Sequence, residues 1–432
     1  MNTAIDRFFG LQAQGSSVRQ EVMAGITTFL AMAYITVVNP AILSDAGMDF
    51  GAVFVATCLA AALGTLVMGL YANYPVAQAP GMGQNAFFTY GVVLGMGHSW
   101  QGALGAVFLS GLIFILLSVL PVREWLINAI PRSMKLGISA GIGLFLGIIA
   151  LSGSGVIVAN DATIVGLGDL TKAPAMLMLL GFVVIAALSA RKTIGAVIIG
   201  MLLVTVVGWL TGAAEFKGLV SAPPSMSTFL ELDLRAAFDL SMVTVILTLL
   251  LVDVFDTAGT LVGVANRAGM LDENGHLPRL RRALLSDSSA TAVGALLGTS
   301  STTSFIESAA GVEAGGRTGL TAVTTAVLFL LCLFVAPLAQ SIPAFATGAA
   351  LLFVATIMAR ALEDLEWTDV AESAPAVVTA IAVPLSYSIA DGIGLGFIAY
   401  ALVKVLSGNA ARCPLAVYLV AGIFVLKFAF LA

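Results

Sequence analysis

The chain has 432 residues, 59% of them hydrophobic and only 10% charged, with a mean hydropathy of +1.04. A soluble protein of this length needs far more charge to cover its surface, which excludes a large soluble fold. The formal net charge of −5 argues against nucleic-acid partners, and three scattered cysteines (Cys58, Cys332, Cys413) form neither a disulfide framework nor a thiolate metal site.

Residues 1–20 are polar, carry Arg7 and Arg19, and read as a cytoplasmic leader with no cleavable signal. Apolar runs follow at 22–43, 51–71, 85–97, 101–121 and 134–151, then at 173–190, 194–210, 241–265, 283–298 and 304–313. The last lie at 320–340, 345–361, 374–389, 393–406 and 415–431. Most are long enough to cross roughly 30 Å of hydrocarbon as helices, so the expected fold is an all-α polytopic membrane protein. Lysine and arginine set its orientation. With the N-terminus in the cytoplasm, the inner connections hold Arg123, Arg132, Lys135, Arg191, Lys192, Arg267, Arg279, Arg281 and Arg282, followed by Arg317, Arg360, Lys404 and Arg412. Together with Arg7 and Arg19 these are fifteen of the 19 basic residues. The alternation holds through fourteen crossings, so the run at 415–431 is either an extra crossing or a helix lying at the interface.

Two internal echoes suggest a duplicated unit. The sixth and seventh runs are joined by the tight Ser189-Ala190-Arg191-Lys192-Thr193-Ile194-Gly195, and the thirteenth and fourteenth by Tyr387-Ser388-Ile389-Ala390-Asp391-Gly392. The second and ninth runs each lead through a Gly-rich stretch into an unusually short run. A unit of seven segments is odd-numbered, so its second copy would be inserted upside down. Paired, interrupted segments of this kind point to a transporter binding site.

The first interruption is Pro75-Val76-Ala77-Gln78-Ala79-Pro80-Gly81-Met82-Gly83-Gln84-Asn85-Ala86-Phe87-Phe88. Its prolines and glycines prevent a regular helix, which is expected to start near Asn85 with free N–H groups. Gln84 and Asn85 offer amide donors and acceptors, and Phe87 and Phe88 offer flat surfaces, a set suited to a planar, heteroatom-rich ring. The second is Gly298-Thr299-Ser300-Ser301-Thr302-Thr303-Ser304-Phe305-Ile306-Glu307-Ser308, whose hydroxyls can satisfy extended backbone at membrane depth and which places Glu307 just inside a new half-helix. In the eighth run, Asp253, Asp256 and Thr260 are spaced i, i+3, i+7 and share one helix face. Aspartate at a span centre costs at least about 2.5 kcal/mol on insertion scales, so such groups are usually functional. Burial and a neighbouring carboxylate both disfavour the charged form, which suits groups that exchange protons. His98 and His276 fall in loops, so a His-ligated metal is not expected, and no P-loop supports an ATP-driven pump. An intramembrane aspartyl hydrolase is disfavoured because Asp253 and Asp256, on one helix, do not form an opposed dyad. The protein is therefore not expected to be an enzyme.

At these stretches the sequence resembles the AzgA-like purine permeases, nucleobase transporters with the uracil-permease fold. The matching words are 79–88, 253–260, and 298–319 with its Ala314-Gly315-Gly316-Arg317-Thr318-Gly319, and the likeness spans nearly the whole chain. The resemblance implies fourteen transmembrane segments in two inverted seven-helix repeats, with residues 21–121 and 241–340 as core and 122–240 and 341–432 as gate. It implies a purine base (adenine, guanine or hypoxanthine) held by Asn85, Asp253 and Glu307, with Gly83 and Asp256 shaping the site. Gln84, Phe87, Phe305 and Thr302 join the expected binding set. Thr302 stands where some relatives carry proline, and Gln84 where many carry an apolar residue, a difference that tunes preference. Asp253, Asp256 or Glu307 would carry the coupling proton. The resemblance further implies a cell-membrane protein acting by proton symport with alternating access, without cofactors, and with room for a homodimer. An anion carrier of the sulfate-transporter type is the alternative on the same fold.

Overall fold

The computed structural model describes residues 4–120, 130–270 and 277–430, so the readings made for Arg123 and His276 lie outside the described residues. Six long helices start at a side-chain cap. Ser17, Asp49, Ser99, Thr318, Asp369 and Ser388 each accept a hydrogen bond from a backbone N–H of the first turn, satisfying a donor that has no partner within the helix.

The first half of the chain gives α1 (Val18–Asp45), α2 (Phe50–Ala72), β1 (Gln78–Pro80), and α3, built from Met82–Ala86 and a wider π-helical portion Phe87–Gly95. Next come α4 (Trp100–Val119), α5 (Arg132–Gly153), the exposed hairpin β2 (Ile157–Asn160) and β3 (Ile164–Leu167), α6 (Ala173–Ala190) and α7 (Ala196–Leu210). The second half gives α8 (Met242–Arg267), α9 (Leu280–Leu297), β4 (Thr302–Ser304), α10 (Ser308–Glu313) and α11 (Gly319–Gln340). It continues with α12 (Ala344–Asp364), α13 (Val370–Leu385), α14 (Ile389–Leu406) and α15 (Leu415–Phe430). Among the described residues, nine helices are both long and apolar enough to cross a membrane by length and composition. The shorter or polar segments complete fourteen spans, arranged as two inverted repeats of seven.

The helices gather into two bodies. In the core, α1 packs on α11 and α10, α2 on α11 and α9, and α4 on α9 and α8. In the gate, α5 lies against α12 and α13, α6 against α7 and α12, and α13 against α14. Lipid gives no hydrophobic drive for helices to associate, so close approach of small residues supplies the packing. At Gly319 an added Cβ would stand 1.9 Å from the carbonyl oxygen of Gly69, so only glycine lets α11 cross α2 there. The two echo connections also match in backbone: Lys192 and Tyr387 both adopt left-handed conformations, at φ 56° and 53°.

The helix α15 runs back along α14. Its Lys427 Nζ lies 2.5 Å from Asp391 Oδ1 in the first turn of α14, although Leu415 starts only a short connection beyond the last turn of α14. Sixteen residues at 1.5 Å each give about 24 Å. Leu419, Leu426 and Phe430 face outward while Val417 and Phe424 are buried.

Candidate functional site

The two interrupted stretches meet. β1 and β4 pair antiparallel with Ala79 opposite Thr303. The Gly81 N–H donates to Ser301 O at 2.9 Å and the Phe305 N–H to Ala77 O at 3.0 Å. Backbone that Pro80 and the hydroxyl run deny to a helix is thus satisfied strand to strand inside protein. Thr65 adds a bond to Gln78 O (3.1 Å) and accepts from the Gln78 N–H (2.8 Å). The helical part of α3 begins at Met82, with Gly81 as its extended N-cap, three residues earlier than the start expected near Asn85. The break is shorter than composition suggests because pairing with β4 uses only three residues.

Two half-helices, α3 and α10, therefore point away from a shared ribbon at the head of a cavity of about 1420 Å³. From the ribbon and its flanks the wall takes Gly81, Gly83, Gln84, Thr303, Phe305 and Glu307. From α8 it takes Asp256, Gly259 and Thr260, and from the gate Ser139, Ile142, Val354 and Met358. The cavity reaches the end of the molecule that carries Arg132, Arg279, Arg281 and Asp364.

Glu307 is half-buried and stands at the N-cap position of α10, where its Oε1 accepts the Tyr34 hydroxyl at 2.5 Å. Asp256 projects into the open space. Asp253 is fully buried behind this wall, where it accepts from Gln84 Nε2 (3.2 Å) and the Thr291 hydroxyl (2.8 Å). Gln84 is the link between wall and interior. The structure thus gathers Gly83, Gln84, Asp256, Phe305 and Glu307 on one cavity, while Asp253, Asn85, Thr302 and Phe87 stand behind it. Asn85 accepts a hydrogen bond from the Ser300 hydroxyl, and Phe87 packs in the core at 2% exposure. Thr302 lies beside Gly294 of α9.

Two residues bonded to this set carry no motif. Tyr34 sits in an ordinary apolar span, and its role depends on a partner 273 residues away. Asp287 of α9 is fully buried and accepts from Gln78 Nε2 (3.0 Å), the Ser304 N–H (2.8 Å), the Ser304 hydroxyl (2.7 Å) and the Thr257 hydroxyl (2.6 Å). The signal that could have found it is a lone acid inside an apolar span, in Ser286-Asp287-Ser288.

Comparison with known proteins fits this geometry. Residues 19–395 match the profile described as Permease family. Adenine permease AdeP of Escherichia coli (strain K12) is 47% identical over 428 residues, covering 99% of this chain and 96% of that protein. Guanine/hypoxanthine permease PbuG of Bacillus subtilis (strain 168) is 46% identical over 437 residues, covering 98% and 99%. In fold, the chain is similar to the transmembrane domain of a cyanobacterium bicarbonate transporter, BicA (TM-score 0.62, 15% identity, 86% of this chain and 96% of that one). A multi-pass membrane protein with this profile and these relatives belongs to the Permease family, among its AzgA-like members.

Proposed function

We propose that the protein imports purine nucleobases across the cell membrane by proton symport. The observation that carries this reading is the paired ribbon β1–β4 at the head of a cavity whose wall combines Glu307, Asp256 and Gln84 with Phe305. Carboxylate and amide oxygens accept hydrogen bonds from ring and exocyclic N–H groups, and a phenyl ring offers a face to a planar base. The relatives named for adenine and for guanine/hypoxanthine support the same substrate class. In this reading Glu307 contacts the base, with Gly83, Gln84 and Phe305 around it. Asn85, Thr302 and Phe87 shape the site from behind, and Asp253 or Asp256 carries the proton.

In this reading access alternates as a gate of residues 122–240 and 341–432 moves against a core of 21–121 and 241–340. The cavity lies between them, lined by α8 and the ribbon on one side and by α5 and α12 on the other. Basic residues at its mouth favour the cytoplasm there, which also puts the N-terminus inside. The anion-carrier reading is disfavoured, since acids line a cavity that an anion would have to enter. Uptake of labelled adenine, guanine and hypoxanthine into proteoliposomes, with and without an imposed pH gradient, tests the proposal. Gradient-driven accumulation of at least one base is expected; uptake indifferent to the gradient would remove the proton from the scheme.

A further inference from the structure

The helix α1 is fastened along the second interruption and the segment after it. Asn39 Nδ2 donates to Thr299 Oγ1 at 2.8 Å. Nearer the start of α1, Glu21 is fully buried and accepts from the backbone N–H groups of Arg317 (3.0 Å) and Thr318 (3.2 Å) and from the Thr321 hydroxyl (2.5 Å). Between these points a Cβ added at Gly311 would stand 2.0 Å from Thr28 Oγ1 and 2.7 Å from the Ala24 carbonyl oxygen, so α10 lies directly on α1. The stretch 314–319 is outside the cavity wall, and its contacts with Glu21 secure α1 against α10.

Tyr34 stands between these fixed points, where α1 is not regular. The Thr36 N–H donates to Ala33 O and the Val37 N–H to Tyr34 O, both at 3.1 Å, so the helix tightens there for one turn. Tyr34 is 1% exposed, and its hydroxyl donates to Glu307 Oε1. Glu307 opens the first turn of α10, yet its side chain makes no capping bond to that turn. Its carboxylate is held instead from a helix that cannot shift. A long side chain fixed in this way gives up its rotamer freedom before any ligand arrives. Both partners belong to the core, so the contact does not depend on where the gate stands.

We propose that Tyr34 is a positioning residue of the purine site, which holds Glu307 by one oxygen so that the other is presented to the base. A carboxylate has two acceptor oxygens and can serve Tyr34 and a ring N–H at once. Tyr34 is not part of the cavity wall, so it acts on the base only through Glu307.

The inference rests on the purine reading, and its test separates the two. Equilibrium binding of labelled adenine, guanine and hypoxanthine to the purified full chain is compared for the parent, Tyr34→Phe, Glu307→Gln and the pair. Tyr34→Phe keeps the ring and removes the hydroxyl. It should weaken binding by about two- to tenfold, the cost of one ordinary hydrogen bond. The half-saturating concentration for exchange in proteoliposomes should rise by the same factor, with a smaller change in the maximal rate. Beside Glu307→Gln the effect should vanish or reverse. Glutamine has a single acceptor oxygen, for which Tyr34 and the base compete, so adding Tyr34→Phe should leave binding unchanged or tighten it. Weakening by the same factor in both backgrounds overturns the proposal, because the tyrosine then acts through packing and not through the carboxylate. Parental affinity in Tyr34→Phe overturns it as well. Parental affinity in Glu307→Gln removes Glu307 from the site and the role of Tyr34 with it. A parent that binds none of these bases removes the purine reading itself.

Discussion

Core and gate each hold carboxylates away from open solvent, wholly or in part, and they give them opposite kinds of partner. In the gate, Glu372 of α13 is met by Lys404 Nζ of α14 at 2.7 Å, by the Tyr400 hydroxyl at 2.7 Å, and by Ser133 of α5. In the core, Asp253, Asp287 and Glu307 hold only hydroxyl, amide and backbone donors. A buried acid beside a cation has one stable state and works as a rivet between helices. A buried acid among neutral donors has two states within reach, and a neutral ligand or a proton can decide between them. The same side chain thus serves as an ion-paired helix contact in one body and as a neutral-donor acceptor in the other.

The largest effect is expected where a two-state acid is made one-state. Asparagine at 253 accepts from Gln84 and donates to Thr291, which is the hydrogen-bond pattern of the protonated aspartate, and it cannot release a proton. Asp253→Asn should abolish accumulation under a pH gradient while exchange at equal pH partly survives. Accumulation retained in this variant would place coupling on Asp256 or Glu307.

Breaking the gate rivet should cost stability instead. Lys404→Met leaves Glu372 half-sheltered and without its cation, and loss of one partner of a buried pair costs about 3–5 kcal/mol. Because the Glu372 side chain retains 25% exposure, the lower end of about 3 kcal/mol is expected here. Thermal unfolding in detergent measures it, and the double change Lys404→Met with Glu372→Gln should restore most of the loss. A double variant as unstable as the single one would mean that Lys404 acts through packing and not through charge.

These contrasts show what could be read from the sequence and what could not. The spans and the two breaks were legible because each depends on local composition: apolar length, Pro80, Gly81 and the hydroxyl run. Which side chains face the cavity was not, because neighbours on a helix differ by about 100° and packing chooses the face. Gln84 and Asn85 read alike as amides, yet one lines the cavity and the other turns to Ser300. Asp253 and Asp256 read as one face, yet only Asp256 reaches open space. Tyr34 and Asp287 escaped notice because their partners are set by the fold, from 273 residues away for Tyr34 and across a helix pair for Asp287 with Thr257.

Glu307→Gln sharpens the core side of the comparison. A hydrogen bond to a charged group contributes roughly 1.5–3 kcal/mol, so purine binding should weaken by about tenfold to somewhat over a hundredfold. Equilibrium binding of labelled base to the purified protein reads this, and unchanged affinity would take Glu307 out of the contact set.

The smallest effect is expected where core and gate touch at the cavity. Gly83 is on the core side, and a Cβ added there would stand 2.4 Å from Cγ2 of Ile142 on α5 of the gate. Its backbone is not in the left-handed region, so alanine is excluded by the neighbour alone. That neighbour is a β-branched methyl, stiff at χ1, and cannot swing clear without turning the whole side chain. Gly83→Ala therefore strains the arrangement in which the cavity opens toward Arg132 and Arg279, by about 1 kcal/mol on the scale of overpacking. The proposed alternating-access cycle passes through this arrangement on every turn, so exchange at equal pH should slow by about fivefold. Ile142→Ala removes the clashing methyl, and the pair Gly83→Ala with Ile142→Ala should recover the rate. If the pair remains as slow as Gly83→Ala alone, glycine is needed for room beside the bound base and not for the approach of the gate.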